Sequence, residues 1–381
     1  MKIAIAIQDL NMRGGTHKQV LRLSQYLKKN GHDITIISKY VDLDKTYGDF
    51  QDFTIISGTK RLARPRQKII RNVLSLIASW KLARRVASDF DVLNIHDSGF
   101  GIFYLLVKIL GYKNAVVWQI NDLPDCFKVG PNISTPERPW YIVYRFFFRW
   151  MASSVDAITV NVTKNRERVE KSMGVSAEVL YCGTDPSFSG IVVRANVPRR
   201  HIRLLSIGVF FPYRNYEVIL EAQKLLWSEH GISSELTIVG STSLSPDYGE
   251  AIRLLAQKMA INCQILGGIT ESNLRHCFLE NDIFLFVNID QSWGLSVFEA
   301  MNASLPVIVS DSVGAVELLR DGFDADIVDP KNAQKIADCL FRLSSNGDFY
   351  VDRSRCAFLA SQEMTWDKLY CQPMEAILSR A

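Results

Sequence analysis

Residues 290–330 read DQSWGLSVFEAMNASLPVIVSDSVGAVELLRDGFDADIVDP. An apolar strand ends near Val287, a polar loop with Trp293 and Gly294 follows, and a helix begins at about Leu295 with Glu299 one turn inside it. After a further strand, the turn Ser312-Val313-Gly314 leads to Glu317. This spacing predicts two helix N-termini at the carboxyl edge of a sheet. Their free N–H groups and positive dipole ends suit an anion such as a diphosphate. A carboxylate beside such a site is ill placed for phosphate, but well placed to accept hydrogen bonds from the neutral diols of a ribose or a sugar.

Other strand ends carry polar residues as well. Gly14-Gly15 follows the first strand, and paired glycines let a backbone approach a ligand with no Cβ in the way. The strand Asp91–Ile95 ends at His96-Asp97, and the strand Ala115–Gln119 at Asn121-Asp122. Residues 205–217, LSIGVFFPYRNYE, place Gly208 and Arg214 just after another strand. Three D-x-D triplets occur, Asp42/Asp44, Asp89/Asp91 and Asp324/Asp326. A metal-holding triplet is expected just after a strand, whereas Asp89 and Asp91 stand before one, so no metal site is read from them.

The elements that must position these residues follow a repeating order. A strand at Ile3–Ile7, the loop Asp9–Gly15, an amphipathic helix over about Thr16–Lys29 and a strand at Asp33–Ser38 make a βαβ unit. The opening MKIAIAIQDL reads as that first strand, not as a signal peptide. Strands at Asp91–Ile95, Ala115–Gln119 and Ala157–Val160 continue the series as near-continuous apolar runs, the signature of a parallel sheet buried on both faces. A second series begins after a linker, with strands at Arg203–Ile207, Glu235–Val239, Cys263–Leu266, Ile283–Val287, Pro306–Ser310 and Ala325–Val328. The expected division is 1–190 for an N-terminal acceptor-side domain, 191–201 for the linker and 202–362 for a C-terminal domain. The fold class is α/β, two Rossmann-like doubly wound domains across a cleft, with ligands outside the carboxyl ends of the strands.

Composition narrows the classes. The chain has 381 residues, 48% of them apolar and 22% charged, which excludes a disordered chain, a collagen-like fibre and a small disulfide scaffold. Seven scattered cysteines without C-x-x-C spacing argue against a disulfide framework and a zinc site, and fit a reducing, cytoplasmic setting. No apolar run is long enough to span a membrane. The net charge of +4 is too small to argue for nucleic acid, but it is unevenly spread. Residues 1–190 hold 27 Lys and Arg against 17 Asp and Glu, and the remainder holds 17 against 23. Dinucleotide, P-loop, H-E-x-x-H and G-x-S-x-G motifs are absent, which sets aside the corresponding dehydrogenase, nucleotidase, metalloprotease and hydrolase readings.

The 290–330 stretch resembles the signature of the retaining glycosyltransferases of family 4, which have the GT-B fold. Their pattern is E-x(7)-E within EGFGL-x-x-x-EAMA-x-G-x-PV. Glu299 falls on the second glutamate, and Gly294, Leu295, Ala300, Met301 and Pro306 fall on matching positions, while Gln291 replaces the first glutamate. Gly314, Glu317, Gly322 and Asp329-Pro330 match the later G-G-x-x-E, Gly and D-P elements, with Ala315 for the second glycine. Weaker matches at Cys182-Gly183-Thr184-Asp185 and Thr365-Trp366 extend the resemblance over nearly the whole chain. It implies that a C-terminal helix, about 363–381, crosses back onto the first domain.

The resemblance also implies roles. Glu299 would hold the nucleotide ribose, and Gln291 would touch the transferred sugar without a charge. Arg214 would clamp the diphosphate, where Val209 replaces the family's other basic residue. Gly14, Gly15, Gly208, Gly294 and Leu295 would frame the nucleotide sugar, with the base read by backbone near Gly268 and Ile269. His96, Asn121 and Asp122 would lie near the reacting sugar, Asn121 standing where the family has a His. The implied reaction is retaining transfer of a hexose-type sugar from a nucleoside diphosphate sugar such as a UDP- or GDP-sugar. The acceptor is a saccharide or lipid-linked hydroxyl of cell-envelope polysaccharide, lipopolysaccharide or glycolipid, and no cofactor or obligatory metal is needed. A same-scaffold phosphorylase or nucleotide-sugar epimerase, and a non-catalytic sugar-nucleotide-binding protein, are the alternatives.

The span from Phe53 to Ser88 contains no acidic residue. Lys60, Arg61, Arg64, Arg66, Lys68, Arg71, Lys81, Arg84 and Arg85 interleave there with apolar residues including Ile70, Val73, Leu76, Ile77 and Trp80. This pattern over 60–85 suits a cationic amphipathic helix on an anionic membrane surface, and hence a peripheral place on the inner face of the membrane. Pro139–Met151 adds an aromatic run with Trp140, Tyr141, Tyr144, Phe146, Phe147, Phe148 and Trp150.

Overall fold

The computed structural model describes residues 1–59, 67–86, 89–127, 139–186, 192, 200–243, 245–290 and 293–381. The chain divides into two units, one of Met1–Cys182 with Trp366–Ala381 and one of Gly183–Thr365. The first unit thus ends several residues before the boundary expected at 190. Most of the expected 191–201 linker lies outside the described residues, and its last residue, His201, already belongs to a strand.

The first unit is built on strands β1 (Lys2–Leu10), β2 (Asp33–Val41), β3 (Thr54–Ser57), β4 (Val92–His96), β5 (Ala115–Ile120), β6 (Ala157–Val160) and β7 (Glu178–Val179). They lie in the order β3-β2-β1-β4-β5-β6-β7, every neighbouring pair parallel. The central strands are Ile- and Val-rich runs whose β-branched side chains pack on both faces of the pleat. Helices α1 (Gly15–Lys29), α2 (Lys68–Val86), α3 (Gly101–Ile109), α4 (Pro139–Ser154) and α5 (Thr163–Met173) connect them. Val20, Leu23 and Leu27 form the buried stripe of α1, at the spacing read from sequence.

The second unit repeats the plan. Strands β8 (His201–Ile207), β9 (Ser233–Val239), β10 (Asn262–Leu266), β11 (Ile283–Phe286), β12 (Val307–Ser310) and β13 (Asp326–Val328) lie in the order β10-β9-β8-β11-β12-β13, again all parallel. Its helices are α6 (Tyr216–His230), α7 (Pro246–Lys258), α8 (Glu271–Glu280), α9 (Leu295–Asn302), α10 (Ala333–Ser345) and α11 (Gly347–Gln362). One apolar core joins Leu204, Leu236 and Leu285 of the strands to Ile219, Ile252, Ile336 and Leu340 of the helices.

The chain then returns to the first unit through a π-helical turn, Asp367–Cys371, and α12 (Gln372–Arg380). Tyr370 is wholly buried there and its hydroxyl lies 3.4 Å from Gln119 Oε1. Glu375 accepts hydrogen bonds from Asn30 Nδ2 at 3.0 Å and His32 Nε2 at 2.9 Å, and Arg380 pairs with Glu178.

Strand order reverses between β1 and β4 in the first unit and between β8 and β11 in the second. Such switch points leave a crevice at the carboxyl ends of the strands, where ligands of open α/β sheets bind. Four of the six Asp residues of the D-x-D triplets are engaged elsewhere: Asp324 pairs with Arg320, Asp326 with Arg342, Asp42 with Lys45, and Asp91 accepts from the Lys2 N–H.

Candidate active site

In the second unit the loops after β8 and β11 meet at the switch point. The Ile289 N–H donates to the Tyr213 carbonyl at 2.7 Å. Asn215, in the left-handed region at φ 57°, donates from its side chain to the carbonyls of Val287 at 3.2 Å and Pro330 at 2.6 Å. Three loops are thereby fastened to one residue. Beside it, Arg214 is held by its Nε donating to the Val209 carbonyl at 3.2 Å. Its guanidinium lies 5.2 Å from the Tyr213 ring and 5.5 Å from the Phe286 ring, a cation–π seat that restrains a long side chain. That seat exists because residue 208 is glycine: a Cβ there would come within 2.4 Å of the guanidinium carbon.

Gly294 precedes α9 without a side-chain cap, and its carbonyl accepts the Val297 N–H at 3.0 Å, so residue 294 offers no side-chain acceptor to the helix start. Glu299 is half-buried on the second turn of this helix. Gln291 lies outside the described residues. The second helix start expected after Ser312 is instead a five-residue 3-10 turn, Gly314–Leu318. Leu319 beyond it is extended, which ends the turn, and a loop closed by the Asp321–Ala325 bridge leads into β13. Gly268 and Ile269 follow β10, at the edge of the sheet and two strands from β8.

In the first unit a cavity of about 780 Å³ opens at the switch point. The β1 end supplies Gln8 and Asp9, the start of α1 supplies Gly14, Gly15, Thr16 and His17, and the turn after β4 supplies Asp97 and Gly99. Asn72 of α2 and Tyr141, Tyr144 and Phe148 of α4 complete the wall. Asp97 stands at φ 66°, ψ 166°, sparsely populated backbone for a residue with a Cβ, and its carboxylate accepts from the Gly99 N–H at 2.7 Å. Burial pushes the Asp97 carboxyl up to about 6, against the opposing pull of the Gly99 N–H. Behind it the buried ammonium of Lys39 donates to the Gly99 carbonyl at 2.7 Å and to Ser75 Oγ at 3.0 Å, tying the turn to α2.

Two residues expected near the reacting sugar do not line this cavity. His96 is wholly buried within the sheet, its Nε2 lies 2.7 Å from Asn94 Oδ1, and burial drives its pKa down to about 3. A sheet-buried imidazole of that kind is a structural hydrogen-bond donor to Asn94, and its neighbour Asp97 reaches the cavity instead. Asn121 is spent on a polar network. Its amide donates to Gln19 Oε1 at 2.9 Å and Thr16 Oγ1 at 3.4 Å, and its carbonyl oxygen accepts from Gln119 at 3.1 Å. It fixes the first turns of α1 against β5. Asp122 is exposed beside it. Asp9, Asp97 and His17 are among the cavity residues to which the sequence assigns no role; Asp97 directly follows His96, and His17 stands two residues after the Gly14-Gly15 pair.

Two doubly wound parallel α/β units, each with polar loops at its switch point, define the GT-B class of fold. The chain belongs to the family-4 glycosyltransferases: the Glycosyltransferase Family 4 model matches residues 13–188, and the model of Glycosyl transferases group 1 matches residues 193–357. It is 22% identical over 344 residues to a phosphatidyl-myo-inositol mannosyltransferase of Mycobacterium leprae, covering 89% of this chain and 86% of that protein. It is 20% identical over 370 residues to the UDP-Gal:alpha-D-GlcNAc-diphosphoundecaprenol alpha-1,3-galactosyltransferase of Escherichia coli, covering 93% and 91%. The solved structure of sucrose-phosphate synthase from Thermosynechococcus elongatus superposes with a TM-score of 0.79 at 15% identity, covering 100% of this chain and 98% of that one.

Proposed function

We propose that this glycosyltransferase moves a hexose-type sugar from a nucleoside diphosphate sugar to a hydroxyl acceptor with retention at the anomeric carbon, in the synthesis of an envelope glycolipid or polysaccharide. The observation that carries this reading is the seating of Arg214 against Gly208 at the β8–β11 switch point, in the same crevice as the uncapped start of α9. A planar guanidinium and helix N–H groups together meet the charge of a departing diphosphate, and preorganised donors of this kind stabilise a leaving group without reorganisation. Glu299 accepts from the ribose hydroxyls and Gln291 contacts the transferred sugar. The diphosphate charge is met by these protein groups, so turnover is expected to persist in EDTA. Slow hydrolysis of a UDP-hexose with an α linkage, followed by proton NMR, tests the stereochemistry: the α-hexose appears first under retention and the β-hexose first under inversion.

The acceptor side of this reading is a membrane-bound substrate. Ile70, Val73, Leu76, Ile77 and Trp80 of α2 are each more than 40% exposed, as are Trp140, Ile142, Val143, Phe146 and Trp150 of α4. Neither helix carries an acidic residue, and Lys81, Arg84, Arg85, Arg145 and Arg149 are exposed among these side chains. Exposed apolar and cationic side chains on adjacent surface suit an anionic lipid surface. Lys60, Arg61, Arg64 and Arg66 of the basic segment lie outside the described residues, and among the described residues no helix is long and apolar enough to cross a membrane. The helices that present this surface also wall the cavity through Asn72, Tyr141, Tyr144 and Phe148, so a lipid-linked head group would have a short path to it.

A further inference from the structure

Resting on the donor reading above, we infer that the backbone N–H of Val209 is a second hydrogen-bond donor to the diphosphate beside Arg214, and that Tyr216 is the positioning residue that aims it.

The direction of this N–H follows from its neighbours. The Gly208 and Phe210 N–H groups donate to the carbonyls of Val239 at 2.8 Å and Ser241 at 3.1 Å, both on the β9 side. The C=O and N–H of one trans peptide point opposite ways, so the Val209 carbonyl, which shares a peptide with the Phe210 N–H, faces away from β9. There it accepts from Arg214 Nε at 3.2 Å. The Gly208 carbonyl faces β9: a Cβ on Gly240 would press into its oxygen, while the Val209 nitrogen would stand 3.3 Å away. The Val209 N–H shares that peptide, and therefore points away from β9, to the side that holds the Arg214 guanidinium. In-register pairing of β8 with β11 ends at Leu205 with Phe284, well short of residue 209, and the Val209 N–H has no hydrogen-bond partner among the described residues. A backbone donor left without a protein partner at a switch point is open to a ligand anion.

Tyr216 holds this peptide from behind. Its hydroxyl donates at 3.2 Å to the Gly208 carbonyl, which can only accept. The residue is 1% exposed, and burial raises its pKa, so the hydroxyl keeps the proton it donates. The ring packs on Phe210 at 5.0 Å and on Tyr248 at 6.2 Å between centroids. The Tyr216 N–H donates to the Tyr248 hydroxyl at 3.2 Å, which in turn donates to Glu217 Oε2 at 2.7 Å. Glycine at 208 would otherwise let the 208–209 peptide rotate, and such a rotation breaks the Tyr216 bond and turns the N–H away from Arg214. The side chain of Val209 is apolar, so its N–H is the group with which this residue can meet a phosphate.

Calorimetric titration of the whole chain with UDP, GDP and ADP finds the diphosphate that wild type binds. Tyr216→Phe keeps the ring and removes the hydroxyl. Its affinity for that diphosphate is expected to fall about threefold to tenfold, the range that one neutral hydrogen bond represents. A second readout, which a merely structural role would not move, is the Val209 amide signal in protein labelled with 15N-valine, assigned by its loss in Val209→Ile. On saturation with the same diphosphate its proton is expected to move downfield in wild type, and to move less in Tyr216→Phe. Unchanged affinity in Tyr216→Phe, an equal amide shift in wild type and Tyr216→Phe, or a Val209 amide that stays in place in saturated wild type would each overturn the assignment. The wild-type measurement decides even if the variant does not fold. Arg214→Ala keeps the two readings apart: diphosphate binding that needs Arg214 but leaves the Val209 amide unmoved sinks only the Val209 assignment, whereas no binding of any of the three diphosphates to wild type sinks the donor reading with it.

Discussion

The Arg214 guanidinium occupies the space that a side chain on residue 208 would need, its carbon within 2.4 Å of the position a Cβ on Gly208 would take. The clash involves the far end of a flexible side chain, so Gly208→Ala is expected to fold with a stability change below about 1 kcal/mol while displacing the guanidinium. Nucleotide-sugar affinity should drop about tenfold, close to the loss in Arg214→Ala, as one charge-assisted contact would require. Calorimetric titration of both variants checks this; wild-type affinity in Gly208→Ala would show that the seat of Arg214 is irrelevant to donor binding.

Asn121 separates a structural role from a ligand role. Its amide joins Gln19, Thr16 and Gln119, and Gln119 in turn accepts from Thr159 at 2.6 Å. Asn121→Ala leaves several of these groups unpaired and is expected to cost about 2 kcal/mol of stability. Donor affinity should be unchanged. Denaturant melts beside nucleotide titration distinguish the two, and a stable variant with lost sugar binding would restore Asn121 to the substrate.

Asp97 gives a pH signature. Its folded pKa of about 6 stands above its ordinary 3.8, raised by burial and by Asp9 and lowered by Gly99, Lys39 and Gln8. Between those values the unfolded chain releases its proton while the folded chain keeps it, so stability falls as pH rises through the window and is level above it. Asp97→Asn removes that fall. The variant is expected to match wild type near pH 4 and to exceed it by about 2 kcal/mol at pH 8, read from urea melts. Parallel stability curves would contradict the assignment.

The exposed faces of α2 and α4 predict lipid binding. Wild type should sediment with vesicles containing phosphatidylglycerol, less so as salt rises, and weakly with neutral vesicles. Replacing Lys81, Arg84 and Arg85 with Glu is expected to reduce the bound fraction severalfold without changing donor affinity. Equal sedimentation with neutral and anionic vesicles would remove charge from the account.

The fold was largely legible because parallel strands buried on both faces leave continuous apolar runs, and eleven of the strands appear at or within a few residues of their expected places. The two missed strands, β3 and β7, are short edge strands of only four and two residues, too brief to show a period. Gly208 and Arg214 stand after β8 and α9 starts at Leu295, the places read from sequence, while their roles toward a donor belong to the proposal. His96 and Asn121 show what spacing leaves open: a polar residue at the end of a strand can turn into the sheet or out of it. Sequence alone does not say which, and burial of His96 and the amide network of Asn121 decide it.

The central claim is a nucleotide-sugar site in the second unit, with Glu299 on the ribose. Calorimetric titration of wild type and Glu299→Ala with UDP-, GDP- and ADP-sugars tests it most directly. One nucleotide series should bind wild type, and its affinity should fall at least about tenfold in Glu299→Ala, as loss of a charged hydrogen-bond acceptor requires. Binding of equal strength in the variant, or no binding of any nucleotide sugar to wild type, would contradict the account.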